Sequence, residues 1–196
     1  MNIISFEGIE GVGKSTQINL LKEFLVKNNF TVEVLREPGS TSAGESIRNI
    51  LLNKDSDISN KTELLLMFAA RSELINKKIQ TSSCDYLLLD RFFDASIAYQ
   101  GYGRNLPIAF IEDLIKFTDC PIPKLSILID ISVKEGFARK INDTKDRIES
   151  SSMDFFNNVR NGYLEIAKKN KNRFLVINGS LSITEIHESI IKKITT

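Results

Sequence analysis

Apolar residues along this chain follow two rhythms. Five short continuous runs, IISF (3 to 6), TVEVL (31 to 35), YLLLD (86 to 90), LSILID (125 to 130) and RFLVI (173 to 177), have the length and composition of strands buried on both faces. Between them, residues 15 to 27, 43 to 52, 61 to 80, 106 to 118, 133 to 141, 154 to 169 and 183 to 194 carry apolar positions at helical spacing. Strands that alternate with helices predict right-handed crossovers, and so an α/β fold of three layers: a five-stranded parallel sheet flanked by helices. No period repeats and no linker-like stretch interrupts the pattern, so residues 1 to 196 read as a single domain. One segment departs from it. RKINDTKDRIESS, 139 to 151, is almost wholly polar and falls between two helices, which fits a solvated loop or a mobile lid.

Composition changes this picture little. Twenty-six Lys and Arg against 25 Asp and Glu leave a formal charge of +1, so no global field draws the chain to nucleic acid or to an anionic membrane. Cys84 and Cys120 lack metal-ligand spacing, and the amino terminus lacks the pattern of a secretory signal. The expectation is a soluble cytoplasmic protein, since no apolar stretch approaches the ~20 residues that span a bilayer.

The chemistry begins at GIEGVGKST, 8 to 16, which follows the first apolar run. Gly8, Gly13, Lys14 and Ser15 satisfy the spacing of a phosphate-binding loop, with a predicted strand before and a helix after. Backbone amides from Gly8, Ile9, Glu10, Gly11, Val12, Gly13, Lys14, Ser15 and Thr16 would cradle the phosphates of a nucleoside triphosphate. Lys14 would reach the β and γ phosphates, and the Ser15 hydroxyl would ligate Mg²⁺. Asp90 ends a buried run, so its carboxylate should emerge where ligands of open sheets bind and share the metal with Ser15. Arg36, Arg48, Arg71 and Arg91 fall near strand ends or helix starts, which fits a second anion site facing the first.

In this setting FEGIEGVGKST (6 to 16), REPGST (36 to 41), FAAR (68 to 71), DRF (90 to 92), SIAYQG (96 to 101), DRIE (146 to 149) and VRNGY (159 to 163) resemble the thymidylate kinases. These are P-loop nucleoside monophosphate kinases that make dTDP from dTMP and ATP. The segments occur in family order over nearly the whole chain. The resemblance implies the P-loop NTPase fold, Mg²⁺, ATP as phosphoryl donor and a homodimer. It implies that Glu10 contacts the deoxyribose 3′-hydroxyl, that Arg48 and Arg91 grip the acceptor phosphate, and that Arg71 hydrogen-bonds the thymine edge. Ser96 and Gln100 would lie by the base or its phosphate, Tyr99 would crowd the place of a ribose 2′-hydroxyl, and Glu37 would belong to the Glu37-Pro38 turn of the monophosphate site.

This chain departs from the family pattern twice. The aromatic that stacks on thymine is usually four residues before the base-binding Arg, which here is Met67, with Phe68 one residue later. One residue turns a helical side chain by ~100°, and Phe68 is favoured over Met67 for the base. The phosphate loop carries no basic residue at Glu10, Gly11 or Val12, so the resemblance implies a lid cation; the segment offers Arg139, Lys140, Lys145 and Arg147, and Arg147 in DRIE, the best match, is assigned to catalysis beside Lys14 and Arg91. Another monophosphate kinase would lack REPGST with AYQG. A nucleotide switch would need a partner-facing reporter segment, and none is evident.

Overall fold

The computed structural model describes residues 1–140 and 145–195. Its strands are β1 (Asn2–Glu7), β2 (Val32–Arg36), β3 (Tyr86–Asp90), β4 (Leu125–Asp130) and β5 (Phe174–Asn178). All pair in parallel, in the order β2-β3-β1-β4-β5. The helices are α1 (Lys14–Lys27), α2 (Ser42–Leu52), α3 (Asn60–Leu74), α4 (Phe93–Ser96), α5 (Ile108–Phe117), α6 (Val133–Ala138), α7 (Met153–Lys169) and α8 (Ile183–Thr195). This is the expected three-layer architecture.

The central strands carry the core. Leu87, Leu88 and Leu89 of β3 and Ile127 and Ile129 of β4 are wholly enclosed, as a strand covered on both faces requires. The expectation of two buried faces fails for β2 and β5. Val34 and Val176 are exposed, because these strands close the two edges of the sheet and each has a neighbour on one side only.

Two helical features were not foreseen. The expected helix over 61 to 80 is α through Leu74 and widens into a π-helix at Ile75–Ile79. A further π-helix, Ile97–Gly103, continues α4 and carries most of the SIAYQG segment. Ala98, Tyr99, Gln100 and Gly101 are all buried, so the segment shows no apolar stripe to betray it. It packs on α7 with little clearance: a Cβ at Gly162 would lie 2.7 Å from the Tyr102 ring. The helix expected over 133 to 141 ends at Ala138 among the described residues, and residues 141 to 144 of the expected lid lie outside them.

Candidate active site

A cleft of about 510 Å³ opens at the carboxyl ends of the strands, where an open α/β sheet presents its ligand sites. Its floor is the loop from β1 to α1. Gly11 has a φ of +72°, and a Cβ there would lie 2.0 Å from the carbonyl oxygen of Gly136, so only glycine lets the loop pass under α6. Glu10, Gly11, Gly13, Lys14, Ser15 and Thr16 line the cleft, whereas the side chains of Ile9 and Val12 are sealed in the core and can offer only backbone. Gly8 does its work by conformation, at φ +130°. Lys14 Nζ donates to the carbonyls of Gly8 (3.1 Å) and Ile9 (2.9 Å). Burial, aided by the neighbouring Arg91 guanidinium, pulls this ammonium down to about 8.

The Ser15 hydroxyl lies 3.5 Å from Asp90 Oδ2. A hydroxyl in the first turn of α1 and a carboxylate at the end of β3 are hard oxygen donors of the kind Mg²⁺ takes while keeping several of its waters. Arg91 follows Asp90 in the left-handed region, at φ +67°. That turn aims its guanidinium across the loop, where Nη1 donates to Gly8 O (2.9 Å) and to the Tyr163 hydroxyl (3.1 Å), and Nη2 to Glu10 Oε1 (2.9 Å).

The opposite wall comes from β2, α2, α3 and the π-helix at 97–103. The Glu37-Pro38 bond is cis, and Arg48 Nη1 donates to Pro38 O at 2.9 Å. Arg71 is clamped on Glu37 through Nε (2.8 Å to Oε2) and Nη2 (2.7 Å), with its guanidinium 4.6 Å from the Phe68 ring centre. Its charge is raised in pKa by the Glu37 carboxylate against the cost of burial. Arg71 Nη1 and Glu10 Oε2 are buried without a hydrogen-bond partner, one a donor and the other an acceptor. Ser96, Tyr99 and Gln100 complete the wall.

Three residues expected at the site are placed away from the cleft. Phe68 lies outside the cleft, packed with Leu64 and Ile111, and it is Met67 that lines it. The helix turns the two side chains apart, and the core claims the aromatic ring. Arg147 also lies outside: Nε donates to Leu51 O (2.8 Å) and Nη2 to Glu63 Oε2 (2.7 Å), so the end of α2 and a buried carboxylate hold it. Arg139 and Lys140 line the cleft instead, Arg139 donating to Gly179 O at 2.9 Å and Lys140 pairing with Glu149. Arg36 turns to Glu45 and lies outside the clamp formed by Arg48, Arg71 and Arg91.

Sequence reasoning passed over Glu7, Glu63 and Tyr163. Glu7 ends β1 as Asp90 ends β3, a signal that could have been read. Its carboxylate accepts from Phe92 N (2.9 Å) and the Tyr163 hydroxyl (3.0 Å), and burial, reinforced by Asp94, pushes it up to about 8. Glu63 is a first-turn helix acid that looks exposed in sequence yet is wholly enclosed.

The phosphate loop, the Ser15 and Asp90 oxygens and the guanidinium groups of Arg48, Arg71 and Arg91 thus line one cleft. The thymidylate kinase family model matches residues 6–190. The chain is 44% identical to the thymidylate kinase of Kosmotoga olearia over 194 residues, covering 97% of this chain and 93% of that one. It is 40% identical to the Chlorobaculum tepidum enzyme of the same name over 205 residues, covering 98% and 96%. The crystal structure of thymidylate kinase from Ehrlichia chaffeensis superposes with a TM-score of 0.82 at 34% identity, covering 100% of this chain and 98% of that one. By sequence over nearly its whole length and by the arrangement of its strands and loop, this chain belongs to the thymidylate kinase family.

Proposed function

We propose that the chain transfers the γ-phosphoryl group of ATP to the phosphate of dTMP, giving dTDP and ADP on the route to dTTP. The observation that carries this reading is the second group of cations, Arg48 and Arg71 on the wall opposite the phosphate loop, with Arg91 reaching over the loop itself to line the same cleft. A nucleotide switch has no use for it.

The acceptor is a phosphate monoester with a second pKa of about 6, so its oxygen is anionic at neutral pH and needs no strong general base. One of its oxygens bonds to the γ phosphorus in line as the bond to the β–γ bridging oxygen breaks, and ADP departs. The protein's part is positioning and charge compensation. Arg48 and Arg91 orient the acceptor phosphate, Lys14 reaches the β and γ phosphates, and Arg139 closes over the transferring group. Glu10 Oε2 accepts from the deoxyribose 3′-hydroxyl, Arg71 Nη1 reads the base, and Tyr99 crowds the 2′ position. Met67 lies against the base through its soft thioether. Ser15 and Asp90 would hold Mg²⁺, which supplies a Lewis acid that neutralises phosphate charge.

One sheet collects strands from residue 2 to residue 178, which supports a single working domain. Free thiols at Cys84 and Cys120 fit a reducing cytoplasm, and no helix among the described residues is long and apolar enough to cross a membrane. The family resemblance supports a homodimer, which light scattering on the purified chain tests directly.

The deciding experiment follows ADP release from Mg-ATP with dTMP, dUMP, dCMP, AMP and thymidine offered separately. Turnover strongest with dTMP is expected. Turnover indifferent to the acceptor would overturn the reading in favour of an ATPase or switch.

A further inference from the structure

Glu63 sits in the first turn of α3 with no solvent exposure and does not itself line the cleft. Its carboxylate collects donors from three residues on two stretches of chain. Gln100 Nε2 reaches Oε1 at 3.0 Å, Arg104 spans both oxygens at 3.2 Å each, and Arg147 Nη2 reaches Oε2 at 2.7 Å. Burial pushes this acid up, but the hydrogen bonds from Arg104, Gln100 and Arg147 outweigh it and hold the group below the usual carboxylate range. An ionised carboxylate only accepts.

Resting on the reading that Gln100 and Arg71 face the base, we propose that Glu63 is a positioning residue for base choice: as an obligate acceptor it fixes the Gln100 amide with its nitrogen inward and its carbonyl oxygen toward the cleft.

A planar amide has two ends, and Gln100 is buried with its Nε2 committed to Glu63 while the residue lines the cleft. The wall then presents an acceptor, Gln100 Oε1, and a donor, the unpartnered Arg71 Nη1. Thymine and uracil carry the complement, an O4 acceptor beside an N3–H donor. Cytosine carries the reverse, an amino donor at C4 beside an N3 acceptor. A buried site built for one pattern rejects the other strongly, because both of its groups are left unpaired. Rotating the Gln100 amide would give cytosine N3 a donor, and Glu63 is what forbids that rotation.

The test compares kcat/KM for dTMP, dUMP and dCMP in the full chain and in Glu63→Gln, Glu63→Asp and Gln100→Leu. Gln at 63 can donate as well as accept, so it no longer dictates the amide. Asp keeps the charge facing Arg104 and Arg147 but withdraws the acceptor by one methylene, which keeps the question answerable if the Gln variant does not fold. The expected result is a rise of about tenfold or more in dCMP relative to dTMP in either Glu63 variant, with the dTMP to dUMP ratio unmoved, since those bases share one edge. An equal fall with all three acceptors would show a structural role only and overturn the proposal. A Glu63 ratio left unchanged while Gln100→Leu shifts it would overturn the positioning role alone. An unchanged ratio in Gln100→Leu would overturn the base reading beneath it.

Discussion

The Tyr99 hydroxyl donates to Glu10 Oε1 at 2.7 Å, and the same oxygen accepts from Arg91 Nη2 at 2.9 Å. One carboxylate oxygen thus ties the tyrosine to the arginine and leaves Glu10 Oε2 buried without a partner. Tyr99→Ala should relax the preference for dTMP over ribothymidine 5′-monophosphate by about 10- to 100-fold, as expected when crowding against one hydroxyl is removed. Tyr99→Phe keeps the ring and should retain most of that preference. A ratio of kcat/KM values unchanged in the Ala variant would make Tyr99 a packing residue.

Lys14 gives the cleft a pH signature. Its pKa in the unliganded protein lies near 8, lowered from 10.5 by burial, so the ammonium that meets the triphosphate is lost as pH rises through that value. kcat/KM for ATP, which reports the free enzyme, should therefore fall above about pH 8. Bound triphosphate favours the charged ammonium, so kcat at saturating ATP should hold to higher pH. Parallel declines of the two parameters would assign the titration elsewhere.

Arg147 and Arg139 should separate stability from catalysis. Arg147→Ala removes a donor from buried Glu63 and from the end of α2, and should cost about 1–3 kcal/mol of stability with kcat near that of the parent. Arg139→Ala, at the cleft, should lower kcat by ~10³ if it acts as arginine fingers do. Thermal melts and kinetics on both variants decide this, and the reverse pattern would return the catalytic role to Arg147.

The contact between Gly11 and Gly136 joins the phosphate loop to the helix that leads into Arg139. A Cβ at Gly136 would lie 2.5 Å from Glu10 O, a backbone atom that cannot turn aside. Gly136→Ala should push α6 off the loop, cost about 1–3 kcal/mol and raise KM for ATP. Parent-like KM and melting temperature would show that the loop yields.

Asp90→Asn should raise the free Mg²⁺ needed for half-maximal activity by about 10- to 100-fold, the scale seen when support for a metal site is weakened. An unaltered Mg²⁺ dependence would remove Asp90 from the site.

What the sequence by itself determined was whatever depends on local order. Buried strands, helical spacing and the glycine loop are periodic or contiguous signals, and from them came the five parallel strands, the phosphate loop and the placement of Asp90 and Arg91 at a strand end. Tertiary structure decided what depends on which side of an element faces which neighbour. Met67 and Phe68 are adjacent in sequence, and only the packing of α3 against Ile111 settled which lines the cleft. Arg147 and Arg139 are equally basic, yet one is drawn away by Glu63, 84 positions earlier. The helix at 93 to 103 escaped notice because most of its residues are buried, and amphipathic spacing marks only an element with one face in water. Long-range pairing of buried charges leaves no periodic trace in a chain, and it is that pairing which arranges the walls of this cleft.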